Sequence, residues 1–562
     1  MVLLLILCWA LAAGALTLAE EQALLAHVGV VVGREEEAEP PDHAFCGTPL
    51  LVEARAALGA EGRRQLAKLL QRPALPWEHR SPSGHFRIHY ELSGRNRVDS
   101  ADGDGNQVPD YVDTVAAALD RAWELQVGQL GYQAPPGDGG LGGGDEYDVY
   151  LVQLGSGGAY GYTYPEQGGN RSSSYLELDN DYTDAIYVQT RGLDALHATV
   201  AHEFFHAIQF GYYQGSDGVW WQEASSTWME EVAYPEVNDY LQYLNGFLGQ
   251  PGKSLNSGSS FSADYRIYGA CLFAHFLDLR HGRDLIRAIW EELGSRSSAG
   301  LEHFDRAIRQ RAPGGFGGVM GEFAVWNYLT GKNYRLPSRY PDGERYPQVG
   351  DTHLNTLAKV AVADNGQVDH LGSAYVVLEP RLQPGGVLVE VQTPRGRWSQ
   401  QVLLIGRDTV EVRALAGGQL RLAGWDRYDS LVVVLAQNDQ VGNSYEYTVS
   451  AEYDPELIDE PVPQRSALKQ NYPNPFRPGQ QRHTAITFGL SQPSTRTALS
   501  IFTAEGQLVW RRYLGVRSAR TYTEFWDGTN EAGEPVGSGI YYYVLEGEDF
   551  SASRALAVVR GD

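Results

Sequence analysis

The sequence predicts a multidomain chain, an α+β domain followed by two all-β domains of sandwich or Ig-like type. Three observations predict it. Between residues 81 and 340, strand-like segments come first and helical ones follow. From 345 to 453, short apolar runs alternate with turn residues at sandwich spacing. An acidic, proline-containing linker, 454–467, then sets off a last run of short strands, 468–562. At 562 residues the chain is also too long for one hydrophobic core.

Residues 1–19 read as a secretory signal, an apolar run followed by small residues, with Thr17-Leu18-Ala19 as the cleavage edge. The usual basic n-region is missing. No later stretch is long and apolar enough to span a bilayer, so the mature chain is expected to have no membrane span. Residues 20–80 read as a helical, partly amphipathic region, either a propeptide or a prelude to the next domain, broken by Pro73, Pro76 and Pro82. Cleavage would leave Cys46 and Cys271, which allow one disulfide and are too few for a cysteine zinc site. The formal charge is −25 with no block of lysine or arginine, which excludes nucleic acid as a partner. An acidic surface suits a secreted protein and offers carboxylates to Ca²⁺.

Strands are expected in the α+β domain at Gly84 to Leu92, in "YDVYLVQL" and in "DAIYVQT", ahead of a long helix. That helix carries His202-Glu203-Phe204-Phe205-His206. Residues four apart lie on one helical face, so the two imidazoles can address one ion. Zn²⁺ accepts neutral imidazole and keeps a position for water, and Glu203 stands beside that water as its base. Leu196, Val200, Phe204, Ala207 and Ile208 supply an apolar reverse face, which leaves the histidines lining a cleft. A third ligand is needed. "WWQEASSTWMEE" offers Glu223 on a following helix, on one face with Thr227 and Glu230. Glu230 and Glu231 are the alternatives, or partners of the histidines from outside the ligand set.

These residues resemble the gluzincin branch of zinc metallopeptidases, and more closely a secreted bacterial metalloprotease family carrying "HEFFHAIQFGY". Gln209 and Tyr212 stand where the metzincin pattern needs a glycine and a third histidine. The resemblance implies a zincin-like catalytic domain, zinc on His202, His206 and Glu223, and Glu203 as catalytic base. It also implies an oxyanion-stabilising tyrosine. Tyr268, opening "YGACLF", fills that role, with Tyr265 as the alternative.

A second motif is "DGDGNQVPDYVD". Counted as an EF-hand-like loop it offers Ca²⁺ the side chains of Asp102, Asp104, Asn106, Asp110 and Asp113 and the carbonyl of Val108. It departs in two places. Gln107 stands where the turn wants glycine, and Asp113 replaces the longer glutamate. "GGAYGYTYPEQ" puts Tyr160, Tyr162 and Tyr164 on a strand that either presents an edge to an extended peptide or packs its rings on the core.

In the last domain "NYPNPFRP" and "FWDGTNEAGEPVGSGIYYYVL" resemble Ig-like C-terminal sorting domains of the type IX secretion pathway and the related hook-capping Ig-like fold. That implies the bacterial secretion machinery as a partner and a secreted or outer-surface location. The expected function is a zinc-dependent endopeptidase acting on proteins or peptides, with catalytic Zn²⁺ and structural Ca²⁺. The alternative is a cell-surface binding or adhesion protein on the same scaffold.

Overall fold

The computed structural model describes residues 16–32, 45–259, 265–296, 298–334, 339–354, 362–380, 385–407, 409–458 and 462–560. The first 15 residues of the expected leader lie outside them. Its expected cleavage edge coincides with the cap of the first helix, α1 (Leu18–Val31). There the Thr17 amide donates to the Glu20 carboxylate at 2.7 Å and the Glu20 amide donates back to the Thr17 hydroxyl at 3.3 Å.

A mixed six-stranded sheet organises the first half of the chain. Its strands are β1 (Phe45–Cys46), β2 (Trp77–Arg80), β3 (Phe86–Tyr90), β4 (Tyr147–Val152), β5 (Ala159–Pro165) and β6 (Ser174–Asp179). Their spatial order is β1-β5-β6-β4-β3-β2. β3, β4 and β6 run parallel, β5 returns antiparallel on β6, and β1 adds parallel along the outer edge of β5.

Strand side chains alternate between faces, and here the two faces feed two cores. Tyr150 and Val152 of β4, with Tyr162, Tyr164 and Tyr175, are covered by α1, α2 (Thr48–Ala57) and α3 (Ala60–Leu69). Val149 and Leu151 face the other way, toward α4 (Asp110–Trp123) and α5 (Gly192–Tyr212). Tyr160 joins this second core, so the three tyrosines of β5 divide between the cores.

The strand expected in "DAIYVQT" does not form. The Tyr187 amide turns back to the Asp184 carbonyl, and the buried Tyr187 hydroxyl donates to the Ala159 carbonyl. The alternation belongs to a packed loop. The strand that does form, β6, begins in a run of serines whose buried side chains carry no apolar signal.

Helices follow: α6 (Val219–Ala233), α7 (Leu244–Leu248), α8 (Arg266–Gly269), α9 (Cys271–His281), α10 (Asp284–Gly294), α11 (Leu301–Arg309) and α12 (Phe316–Tyr328). The sequence expects one apolar face on α5. Instead every residue from Ala198 to Tyr212 is buried, because the sheet, α6 and α10 enclose the helix. Cys46 and Cys271, the cysteines among the described residues, are free and buried, so the Cys46–Cys271 bond is not made. Among the described residues, no helix is long and apolar enough to cross a membrane.

The middle β region is a two-sheet sandwich. One sheet runs in the order Gln419–Ala423, Gly386–Gln392, Tyr445–Asp454, Val362–Val368. The other runs Val410–Ala414, Trp398–Ile405, Ser430–Gln437, Ser373–Leu378, Thr352–Leu354. Val376, Leu404 and Val433 fill the space between the sheets, whereas Tyr375, Val377, Val432 and Val434 point outward into the core of the helical domain. The Tyr375 hydroxyl donates to the Ala324 carbonyl of α12 at 3.0 Å. The expected boundary near 345 thus divides the chain but not the packing. The last segment forms a three-stranded and a four-stranded sheet around Phe476, Ile486, Trp526 and Tyr543.

Candidate metal centre

The motif histidines meet Glu223 in the interior. His202 Nε2 and His206 Nε2 lie 3.1 Å apart. The Glu223 oxygens stand 3.3 Å from the first and 3.0 Å from the second. Glu223 is fully buried, yet neither oxygen takes a hydrogen bond. Unpaired buried carboxylate oxygens are costly unless something positive completes them.

The outer contacts fix which ring nitrogens are bare. The Gln209 amide donates to the Gln222 carbonyl at 3.0 Å and to the Ser226 hydroxyl at 2.9 Å. Its Oε1 is thereby turned to His206 Nδ1, 2.8 Å away, so that nitrogen carries the hydrogen. His206 Nε2 is left as a lone pair. His202 Nδ1 shares a proton with the Glu230 carboxylate at 2.6 Å. Burial pushes the Glu230 carboxyl up to about 8, while His202 pulls it back. Two imidazole Nε2 atoms and a carboxylate converge on one point, and with both rings neutral and their hydrogens on Nδ1 this set suits a divalent cation. For tetrahedral Zn²⁺ with bonds of about 2.0–2.1 Å, ligand atoms lie about 3.3 Å apart, close to the spacings found. Glu230 stands outside the ligand set. Glu231 touches neither histidine, and burial raises its carboxyl to about 8.

Glu203 is held from the sheet side. The Thr163 hydroxyl of β5 lies 2.8 Å from both the carboxylate and the carbonyl of Glu203, and its single proton serves one at a time. The Thr48 hydroxyl donates to the same carboxylate at 3.0 Å and accepts from the Thr163 amide at 2.8 Å. A small crevice of about 20 Å³, room for a water rather than a substrate, lies beside His202 and Glu203, lined also by Tyr160, Asp239, Tyr243 and Tyr268. Tyr268 is buried there and its hydroxyl donates to the Cys46 carbonyl at 3.0 Å. Tyr265 caps α8 from a left-handed backbone, φ +50.

Sequence reasoning missed Cys46, Thr48, Thr163 and Gln209. Cys46 Sγ lies 3.5 Å from His206 Nε2, across 160 positions of chain. Sγ and one ligand atom each of His202, Glu203 and His206 all fall within 4.8 Å of one another. Burial, then the Glu203 and Glu223 charges, push the thiol upward. The HExxH spacing signals its own histidines but not what the sheet edge brings to them. Gln209, three residues after His206, was the one readable hint.

In the acidic loop, Asp102, Asp104 and Asp110 bring carboxylate oxygens within 4.8 Å of one another at the surface. Asn106 ties the group to Asp113, its amide donating to Asp113 at 2.9 Å and to Asp104 at 3.2 Å. The Val108 amide donates to Asn106 Oδ1 at 2.7 Å. Gln107 takes the left-handed conformation expected of a glycine there, φ +72. α4 starts at Asp110.

The family model for a family of unknown function, DUF6055, matches residues 100–312, and that for the FlgD Ig-like domain matches residues 476–549. No curated protein matches. Among solved structures, FlgD of P. aeruginosa is 20% identical, over 13% of this chain and 57% of its own, with a TM-score of 0.11. PorZ, a surface component of the type IX secretion system of Porphyromonas gingivalis, is 15% identical over 28% of this chain and 22% of its own, with a TM-score of 0.15. Dimeric latent PorU of the same organism is 11% identical over 38% and 32%, also at 0.15. The chain thus spans less than two thirds of each of these proteins, and superpositions this low carry no argument about the whole molecule.

Proposed function

We propose that the chain is a secreted zinc-dependent endopeptidase. One observation carries this reading: the bare Nε2 atoms of His202 and His206 converge with the unpaired Glu223 carboxylate next to Glu203. Zinc at that point supplies a Lewis acid that polarises a carbonyl and acidifies a water. Glu203 takes up the proton of the attacking water and returns it to the leaving amine. Thr163 keeps the carboxylate aimed while it does so. Tyr268, which already donates to a backbone carbonyl, donates to the carbonyl oxygen of the substrate as charge develops there. Ca²⁺ is proposed at Asp102, Asp104, Asn106, Val108, Asp110 and Asp113, as a brace for the start of α4. The Ig-like C-terminal domain is proposed to engage the secretion machinery.

The test pairs metal analysis with casein cleavage, with and without a zinc chelator. Glu203→Gln is expected to keep zinc and to lose cleavage by at least about 10²-fold. A purified, metal-loaded mutant that still cleaves casein would overturn the role of Glu203. Zinc at full occupancy without cleavage of any protein, under conditions that free the site, would favour the binding or adhesion reading.

A further inference from the structure

Residues 45–48 lie where a peptide substrate of this site would lie. β1 runs along the outer edge of β5, with Cys46 opposite Gly161, and the Gly47 amide donates to the Gly161 carbonyl at 3.2 Å. That edge is what an extended peptide uses for main-chain pairing. The Cys46 carbonyl occupies the Tyr268 hydroxyl, and the Thr48 hydroxyl occupies the Glu203 carboxylate. The Cys46 sulfur enters the histidine pair at 3.5 Å from His206 Nε2. A nitrogen at about 2.05 Å and a sulfur at about 2.3 Å on one tetrahedral Zn²⁺ stand about 3.6 Å apart. The unpaired Glu223 oxygens, wholly buried, independently mark the same point as a cation position.

We propose that Cys46 is a latch that keeps this site latent. Its thiolate takes the fourth position on a metal held by His202, His206 and Glu223, and residues 45–48 close the strand edge, the base and the oxyanion donor together. On metal loading the Cys46 S–H bond breaks, the proton passes to solvent and the sulfur lone pair forms the bond to the metal. No oxidant takes part. Turnover requires residues 45–48 to lift away and water to replace the sulfur. The proposal rests on the zinc peptidase reading and adds its regulation.

The experiment uses the full chain loaded with Co²⁺ in place of zinc. A sulfur-to-cobalt charge-transfer band in the near ultraviolet is expected in the parent and absent in Cys46→Ala, at equal cobalt content. Iodoacetamide provides a second measurement that needs no variant. Cys46, mapped by peptide mass, is expected to react at least tenfold faster after chelation, with Cys271 slow throughout. Hydrolysis of a quenched fluorescent peptide is expected to rise at least tenfold in Cys46→Ala and in Cys46→Ser. Cobalt bound at one per chain through His202 and His206, but without the band and without protection of Cys46, overturns the latch alone. Failure to bind cobalt or zinc at those histidines overturns the peptidase reading and the latch with it.

Discussion

Gln209 and Glu230 each hold the outer ring nitrogen of one histidine, Gln209 accepting from His206 Nδ1 and Glu230 sharing a proton with His202 Nδ1, and so orient both inner nitrogens toward Glu223. Gln209→Leu keeps the bulk and removes the acceptor. Zinc affinity is expected to fall about 10- to 100-fold, measured by competition with a chromophoric chelator. Gln209→Glu, which keeps an acceptor, is expected to recover part of the loss. His275 acts on stability instead. Burial, with Arg283 adding to it, lowers its imidazole to about 3. The unfolded chain takes up this proton near pH 6.5 and the folded chain does not, so stability is whole above pH 6.5 and falls as the pH drops below it. The loss is up to about 1.4 kcal/mol per pH unit. His275→Phe is expected to flatten that slope, read as urea midpoints between pH 7 and 4.5. At this scale the clustering of the candidate ligands was partly legible: His202 and His206 follow helical spacing on α5, and Glu223 lies on the next long helix, α6. Cys46 and Thr48 reach the site through sheet pairing, which no local pattern encodes.

Among the elements, the acidic loop shows how a departure from a motif reads in the backbone. A side chain at φ +72 costs about 1–2 kcal/mol, which the loop offsets with amide bonds from Gly105, Asn106 and Gln107 to Asp102. Ca²⁺ at ten times a millimolar-range Kd is expected to stabilise the chain by about 1.4 kcal/mol, seen as a rise in Tm that Asp102→Ala abolishes. No rise in the parent chain would remove calcium from the proposed function. The strands were legible where apolar side chains alternate, as in β3 and β4. They were not where serines start a buried strand, or where an alternating run, residues 184–190, packs as a loop around Tyr187. The N-terminal helices are bound to the sheet by more than the latch. Tyr150, Tyr162, Tyr164 and Tyr175 lie under them, each worth roughly 1.5–3 kcal/mol in burial. Lifting residues 45–48 breaks the short strand pairing and the contacts of Cys46 and Thr48 with Tyr268, Glu203 and Thr163 but leaves those tyrosines covered, so local opening costs less than losing the whole segment.

For the whole molecule, the sandwich is part of the helical domain's core. Removing it exposes Tyr375, Val377, Val432 and Val434 contacts on α12, so a chain ending at residue 340 is expected to aggregate or melt well below one ending at 456. Thermal unfolding by circular dichroism compares the two. The last domain is joined more lightly. Asp426 of the sandwich accepts from the Ser518 hydroxyl and lies 3.9 Å from the Arg520 guanidinium. Asp426→Ala is expected to free that domain, read as faster proteolysis of the segment between 455 and 466 and a larger radius of gyration. That helices with a mixed sheet precede an all-β C-terminal part was legible from composition and turn spacing. Shared cores were not, because a strand with both faces buried looks the same whichever neighbour covers it.

The short strand on β5 has a colloidal consequence as well. A sheet with an uncovered edge offers its free amides and carbonyls to any other chain that comes near. At the far edge, β2 carries Glu78, His79 and Arg80, charges that discourage such pairing. β5 has no charged residue and is buried throughout, so β1 is its guard. A molecule with residues 45–48 lifted away gains a sticky border, and its tendency to self-associate should grow with concentration.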